Sequence, residues 1–186
     1  YQVMPLWILL SAIKSDMKYR IALLPTQHET KQLIEYSQSL PVSGPGFRLD
    51  QDHHPHITIV AFEAEEATAL EYWSKLEGVV LVPATSPLEK LHFSPEEGYI
   101  LYDVALSSSL QSLARHIRAV LEGDIGRDRF DKYAGRAPHL TLGVDDSPVE
   151  VVLPEPPLHE IHFDRLVLAE SAELGSIRKM LKQRGL

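Results

Sequence analysis

Two stretches carry the reading of this chain: Pro55-His56-Ile57-Thr58-Ile59-Val60 and Pro138-His139-Leu140-Thr141-Leu142-Gly143. Each puts His-apolar-Thr-apolar directly after a proline. Along a strand, successive side chains point to opposite faces. His and Thr at i and i+2 therefore share one face, and Ile57, Ile59, Leu140 and Leu142 take the other. The proline suits a strand entrance, where no ladder N–H is needed. Two such strands facing each other would gather two imidazoles and two hydroxyls around one cleft. One imidazole can take a proton, the other can give one, and the hydroxyls can hold an anion.

Outward from these motifs, apolar periodicity predicts strands over residues 18–24, 56–62, 79–82, 88–93, 99–106, 139–144 and 160–169, with a short one over 47–49. Helices are predicted over 28–40, with Thr26 as N-cap, over 65–76, and over 108–121, with Gly123 as the stop. Residues 95–98 form the turn of a hairpin. The basic terminal segment 177–183 reads as helix or strand. Residues 124–137 read as a long charged loop. Each half has a helix ahead of its motif strand. The expected fold is therefore α+β: two pseudo-symmetric lobes with antiparallel sheets facing a central cleft and helices outside.

The chain has 186 residues, enough for one domain, and its 44% hydrophobic content supplies a core. A net charge of -8 argues against a coat for long nucleic acid, though not against a small phosphate ligand or an RNA end. The absence of cysteine removes disulfides, thiolate metal sites and a Cys nucleophile, and fits a reducing cytoplasm. Residues 3–13 are apolar but shorter than the roughly 20 that span a bilayer. Residues 1–16 read as an appendage (a tag, an extension or a docking segment) ahead of a single bilobal domain, 17–186. No membrane association is expected, and the chain reads as a monomer.

The paired motifs resemble those of the 2H phosphoesterase superfamily, which includes RNA 2′,3′-cyclic phosphodiesterases and 2′-5′ RNA ligase-like enzymes. The resemblance rests on His56-Ile57-Thr58-Ile59 and His139-Leu140-Thr141-Leu142 and extends from about Lys18 to the C-terminus. It implies a catalytic set of His56, Thr58, His139 and Thr141, no metal and no cofactor. It implies hydrolysis of 2′,3′-cyclic phosphates, on RNA ends or small nucleotides, to 2′-phosphomonoesters. His139 would be the base and His56 the acid. The alternatives are a non-catalytic nucleotide- or RNA-end-binding module, or an RNA-trimming or 2′-5′ ligase-type enzyme of the same superfamily.

Other residues carry weaker signals. Arg127, Arg129 and Arg136 precede the second motif and are candidates for phosphate contact, with Tyr133 a candidate for stacking on a base; the same segment also reads as a solvated loop. His53, His54 and His56 could form a metal cluster, but alternation puts His53 on the opposite face, and no Glu-containing zinc motif accompanies them. His116 reads as a packing residue, and Ser107–Ser109 as an N-cap run. No Walker or dinucleotide fingerprint is present.

Overall fold

The computed structural model describes residues 17–41, 46–94, 98–134, 137–145, 152–172 and 175–186, and only the backbone of Tyr133 and Ala134. The segment 1–16, Arg136 and most of the 95–98 turn lie outside them. The elements run β1 (Met17–Pro25), α1 (Gln27–Ser39), β2 (Ile57–Ala64), α2 (Glu66–Glu77), β3 (Ala84–Ser94), β4 (Tyr99–Val104), α3 (Ser108–Ile125), α4 (Arg127–Ala134), β5 (His139–Val144), β6 (Glu160–Ser171) and β7 (Ile177–Gly185). The fold is α+β with antiparallel pairing. The strand order is β2-β1-β6-β3-β4-β5, and β7 pairs with β6.

β6 joins the two halves. One of its edges carries β1. The other carries β3 along Glu160–Phe163 and β7 along Arg165–Ser171, end to end. The motif strands β2 and β5 stand at the opposite ends of this order.

Local chemistry explains the helices. Thr26 and Glu29 form a capping box at the start of α1, each side chain accepting from the other's backbone N–H. Ser107 Oγ accepts from Leu110 N at 3.2 Å to start α3. Leu110, Leu113, Ile117 and Leu121 form the fully buried stripe of α3; burying each contributes about 1.5–3 kcal/mol. Gly123 does not stop this helix. Gly126, at φ +93, closes it, because the left-handed region carries no Cβ penalty for glycine.

Three further expectations change. The segment expected to be a charged loop is mostly the helix α4, held by Phe130, which is 4% exposed. Residues 79–82 are not a strand; Val80 is 87% exposed, and the strand begins only after Pro83. Residues 47–49 contribute a single bridge, Arg48 to Gly143. The terminal segment, which reads as helix or strand, is the strand β7.

The main core lies between the sheet and the helices, with Tyr19, Leu23, Leu33, Phe62, Trp73 and Phe163 among its members. A smaller cluster (Ala22, Leu24, Val167, Ala169 and Ile177) covers the other face of β1 and β6. By alternation, Arg20 shares that second face with Ala22 and Leu24. No helix among the described residues is long and apolar enough to cross a membrane.

Candidate active site

The first motif strand contains a conflict of parity. His56 and Thr58 belong on a polar face, yet Val60, Phe62 and Ala64, at the same parity, are buried. Straight alternation cannot satisfy both. The strand resolves this with a β-bulge: Ala22 pairs with Thr58 and Ile21 with Val60, so Ile59 has no cross-strand partner. Beyond the bulge the alternation is reversed, and Val60 and Phe62 enter the core. β5 does the same: Leu101 pairs with Thr141 and Ile100 with Gly143, leaving Leu142 as the extra residue. Both bulges fall immediately after the motif threonine. The Leu142 carbonyl accepts a hydrogen bond from the buried Ser37 Oγ on α1 at 2.5 Å.

The two histidines are held alike. His56 Nδ1 donates to the His54 carbonyl at 2.9 Å, and His139 Nδ1 donates to the Ala137 carbonyl at 3.3 Å. Each ring is tied to the carbonyl two residues earlier, which leaves Nε2 as the nitrogen for the cleft. Arg20, only 6% exposed, occupies the floor beside His56. Its Nη1 lies 2.7 Å from His56 Nε2 and 3.2 Å from Thr58 Oγ1, and it also donates to the Gly175 carbonyl. Its Nε donates to Ser171 Oγ at 2.9 Å. A guanidinium can only donate, so His56 Nε2 must accept and His56 is neutral with its proton on Nδ1. Electrostatics agree. Desolvation first, then the Arg20 charge, push the His56 pKa down to about 3, and His139 adds a smaller push across the cleft.

The cleft has a volume of about 790 Å³ and is lined by both histidines, both threonines and Arg20. Leu101, Leu106, Leu110, Ala114 and Phe130 form an apolar wall, with Gln111, Arg115 and Arg118 on α3 beside it. The structure thus brings His56, Thr58, His139 and Thr141 together. It does not bring Arg127 or Arg129 to the cleft lining. Both are exposed, and Arg127 Nε lies 3.6 Å from Asp131. The α4 helix turns these arginines outward and presents Phe130 instead. The Tyr133 side chain and Arg136 fall outside the described residues. Arg20, Arg115 and Arg118 are the cleft cations that sequence reading missed. Arg20 could have been suspected as a cation set between Tyr19 and the apolar run Ile21–Leu24.

Of the remaining histidines, His53 Nδ1 lies 2.9 Å from Asp50 Oδ1 and its ring stacks on Phe47. His116 is exposed on α3, not packed. Among the described residues, no group of three or more His, Cys, Asp or Glu side chains could hold a metal ion.

Solved structures of low sequence identity share this fold. Apo LigT of E. coli superimposes with a TM-score of 0.66 at 17% identity, over 93% of this chain and 99% of that one. A protein described as a phosphoesterase gives 0.68 at 16% identity, over 92% and 98%. TT0787 of Thermus thermophilus gives 0.66 at 19% identity, over 91% and 98%. LigT has also been crystallised with phosphate, 3′-AMP, ATP and NADP+. No protein-family model matches the chain, and no curated protein matches it in sequence.

Proposed function

We propose that this chain is a phosphodiesterase of the 2H phosphoesterase superfamily, opening 2′,3′-cyclic phosphates of RNA ends or small nucleotides to 2′-phosphomonoesters. The observation that carries this reading is the matched pair of histidines, each fixed through Nδ1 and each beside a threonine, on strands that line one cleft. The shared fold with LigT, which has been crystallised with phosphate and 3′-AMP, supports it. The cleft volume of about 790 Å³ lies within the range of small-ligand sites and suits a nucleotide or a short RNA end.

The environment of His56 favours the reverse of the roles implied by resemblance. A neutral His56 is ready to accept a proton, whereas an acid must enter the reaction protonated. His56 Nε2 takes a proton from water as the water oxygen attacks phosphorus in line with the 3′-oxygen. His139, protonated at Nε2, donates to that oxygen as the P–O3′ bond breaks. One water is consumed, and a 2′-phosphate and a 3′-hydroxyl are formed. Proton exchange with solvent then restores both rings. The Thr58 and Thr141 hydroxyls donate to the non-bridging oxygens, where charge grows in the transition state.

The test is incubation with 2′,3′-cyclic AMP and with an RNA oligonucleotide ending in a 2′,3′-cyclic phosphate, in EDTA, with products compared with 2′- and 3′-phosphate standards. A 2′-phosphate, lost in both His56→Ala and His139→Ala, is expected. One observation favours a second reading, a binding module: Arg20 covers His56 Nε2. Nucleotide binding without turnover of either substrate would establish that reading instead.

A further inference from the structure

His56 presents a difficulty for the mechanism as drawn. The nitrogen that must accept the proton already accepts a hydrogen bond from Arg20. A base held at a pKa of about 3 is also weak, since general-base catalysis works best when the pKa lies near the operating pH. The guanidinium causes the first problem and, after desolvation, part of the second, and it is placed to relieve both. Arg20 Nη1 is shared among three acceptors, His56 Nε2, Thr58 Oγ1 and the Gly175 carbonyl. One nitrogen has two protons, so at least one of these bonds is a compromise. Two of the three acceptors are the motif side chains that a bound phosphate would meet.

We propose that Arg20 is the phosphate-binding cation of this cleft and a displaceable cap on His56: when an anionic phosphoester enters, the guanidinium exchanges the neutral imidazole for a phosphate oxygen and frees Nε2 as the base. This rests on the proposed function for the identity of the substrate, but the exchange itself requires only a phosphate. A guanidinium binds a phosphate oxygen more strongly than a neutral ring nitrogen, because the bond is charge-assisted from both sides. The phosphate charge also offsets the field of Arg20 at His56, so the imidazole regains basicity as the substrate arrives. The charged and titratable groups facing His56 are few. Arg20 comes from β1, His139 from β5 across the cleft, and the Gly175 carbonyl from the segment before β7. Of these, only Arg20 bonds to Nε2 with a charge that a phosphate can claim.

Arg20 would thus touch the substrate and be catalytic in that sense, while its effect on His56 is one of positioning and electrostatics. Its place in β1 fits both roles. Ser171 Oγ anchors Nε from β6, so the planar guanidinium stays in the cleft while Nη1 exchanges one acceptor for another.

The test follows the His56 imidazole by NMR on histidine-labelled protein, with inorganic phosphate as the probe and His56→Ala used only to assign the resonance. In wild type without phosphate, His56 should remain neutral as pH falls from about 8 to about 4, consistent with its partners. Saturating phosphate should move its titration upward by at least about one unit. In Arg20→Gln, phosphate should bind about tenfold or more weakly, the loss of one charge-assisted hydrogen bond. In that variant His56 should titrate higher than in wild type without any ligand. Arg20→Lys should recover part of the phosphate affinity but less of the effect on His56, because a point charge lacks the fork.

Phosphate binding that leaves the wild-type His56 titration unmoved would overturn the proposal. So would Arg20→Gln binding phosphate as wild type does. Should Arg20→Gln fail to fold, as judged by thermal melting, the wild-type titration alone decides. None of these readouts requires turnover. A chain that passes them yet never opens a cyclic phosphate would sink the proposed function and leave the cap intact.

Discussion

Replacing Ser37 by Ala removes one oxygen atom, yet it should be among the costliest small changes in the chain. Ser37 is fully buried on α1. Its Oγ donates to the Leu142 carbonyl at 2.5 Å and accepts from Leu49 N at 2.9 Å. Leu142 is the bulged residue of β5 and has no partner on β4, so no bond from β4 can replace the hydroxyl. Ser37→Ala therefore removes the hydroxyl that bonds a carbonyl and an N–H together in a buried position. Each such group left unpaired costs about 1–3 kcal/mol, which places the loss at roughly 2–6 kcal/mol. With a urea m-value of about 2 kcal/mol per molar, the unfolding midpoint should fall by about 1–3 M.

Ser74→Ala is the control, since its hydroxyl bonds to the Glu71 carbonyl at an exposed helix position; it should stay within about 0.5 kcal/mol of wild type. Because Leu142 directly follows Thr141, kcat on a cyclic phosphate should also fall in Ser37→Ala while the control is unchanged. A stability loss below about 1 kcal/mol, or equal losses in the two variants, would refute the claim that α1 supports the bulge through this hydroxyl.

Three further outcomes are expected. A substrate with an activated leaving group should recover much of the activity of His139→Ala but little of that of His56→Ala, each starting about 10²–10⁴-fold below wild type on the ordinary substrate; the opposite pattern would restore the roles implied by resemblance. The pH profile of kcat/KM, which reports the free enzyme, should show no loss attributable to His56 between about pH 7 and pH 5, because His56 stays neutral until pH nears about 3; a rise of about tenfold per unit as pH falls through that range would make His56 the acid. Glu29→Gln should destabilise the fold more at pH 6 than at pH 9 in urea unfolding: Glu29 raises the pKa of His162 through a 2.7 Å bond, so that contribution is fully present below the unfolded pKa of about 6.5 and is lost as pH rises through the folded value.

The legible part of this chain was local. Thr26 and Ser107 announced their helices because a cap is written within four residues. The apolar stripe from Leu110 to Leu121 announced a helix because its period is short. Where signals competed, reading failed in identifiable ways. Residues 79–82 are β-branched and apolar, yet they sit outside the sheet after α2. Residues 127–134 are charged and looked like a loop, yet one apolar side chain, Phe130, anchors them as a helix.

By itself the sequence determined that His56 and Thr58, and likewise His139 and Thr141, share a face, since period-two alternation is a property of the strand alone. It also held the parity conflict between Thr58 and Val60, which foretells a bulge once read as a conflict. Only the tertiary structure decided what surrounds those side chains. Arg20 reaches His56 across 36 residues because β1 pairs with β2 in a particular register, displaced by one residue at Ile59. Ser37 reaches Leu142 across 105 residues because α1 packs against β5. Register and helix docking are fixed by burial summed over the whole sheet, and no short window of residues contains that sum.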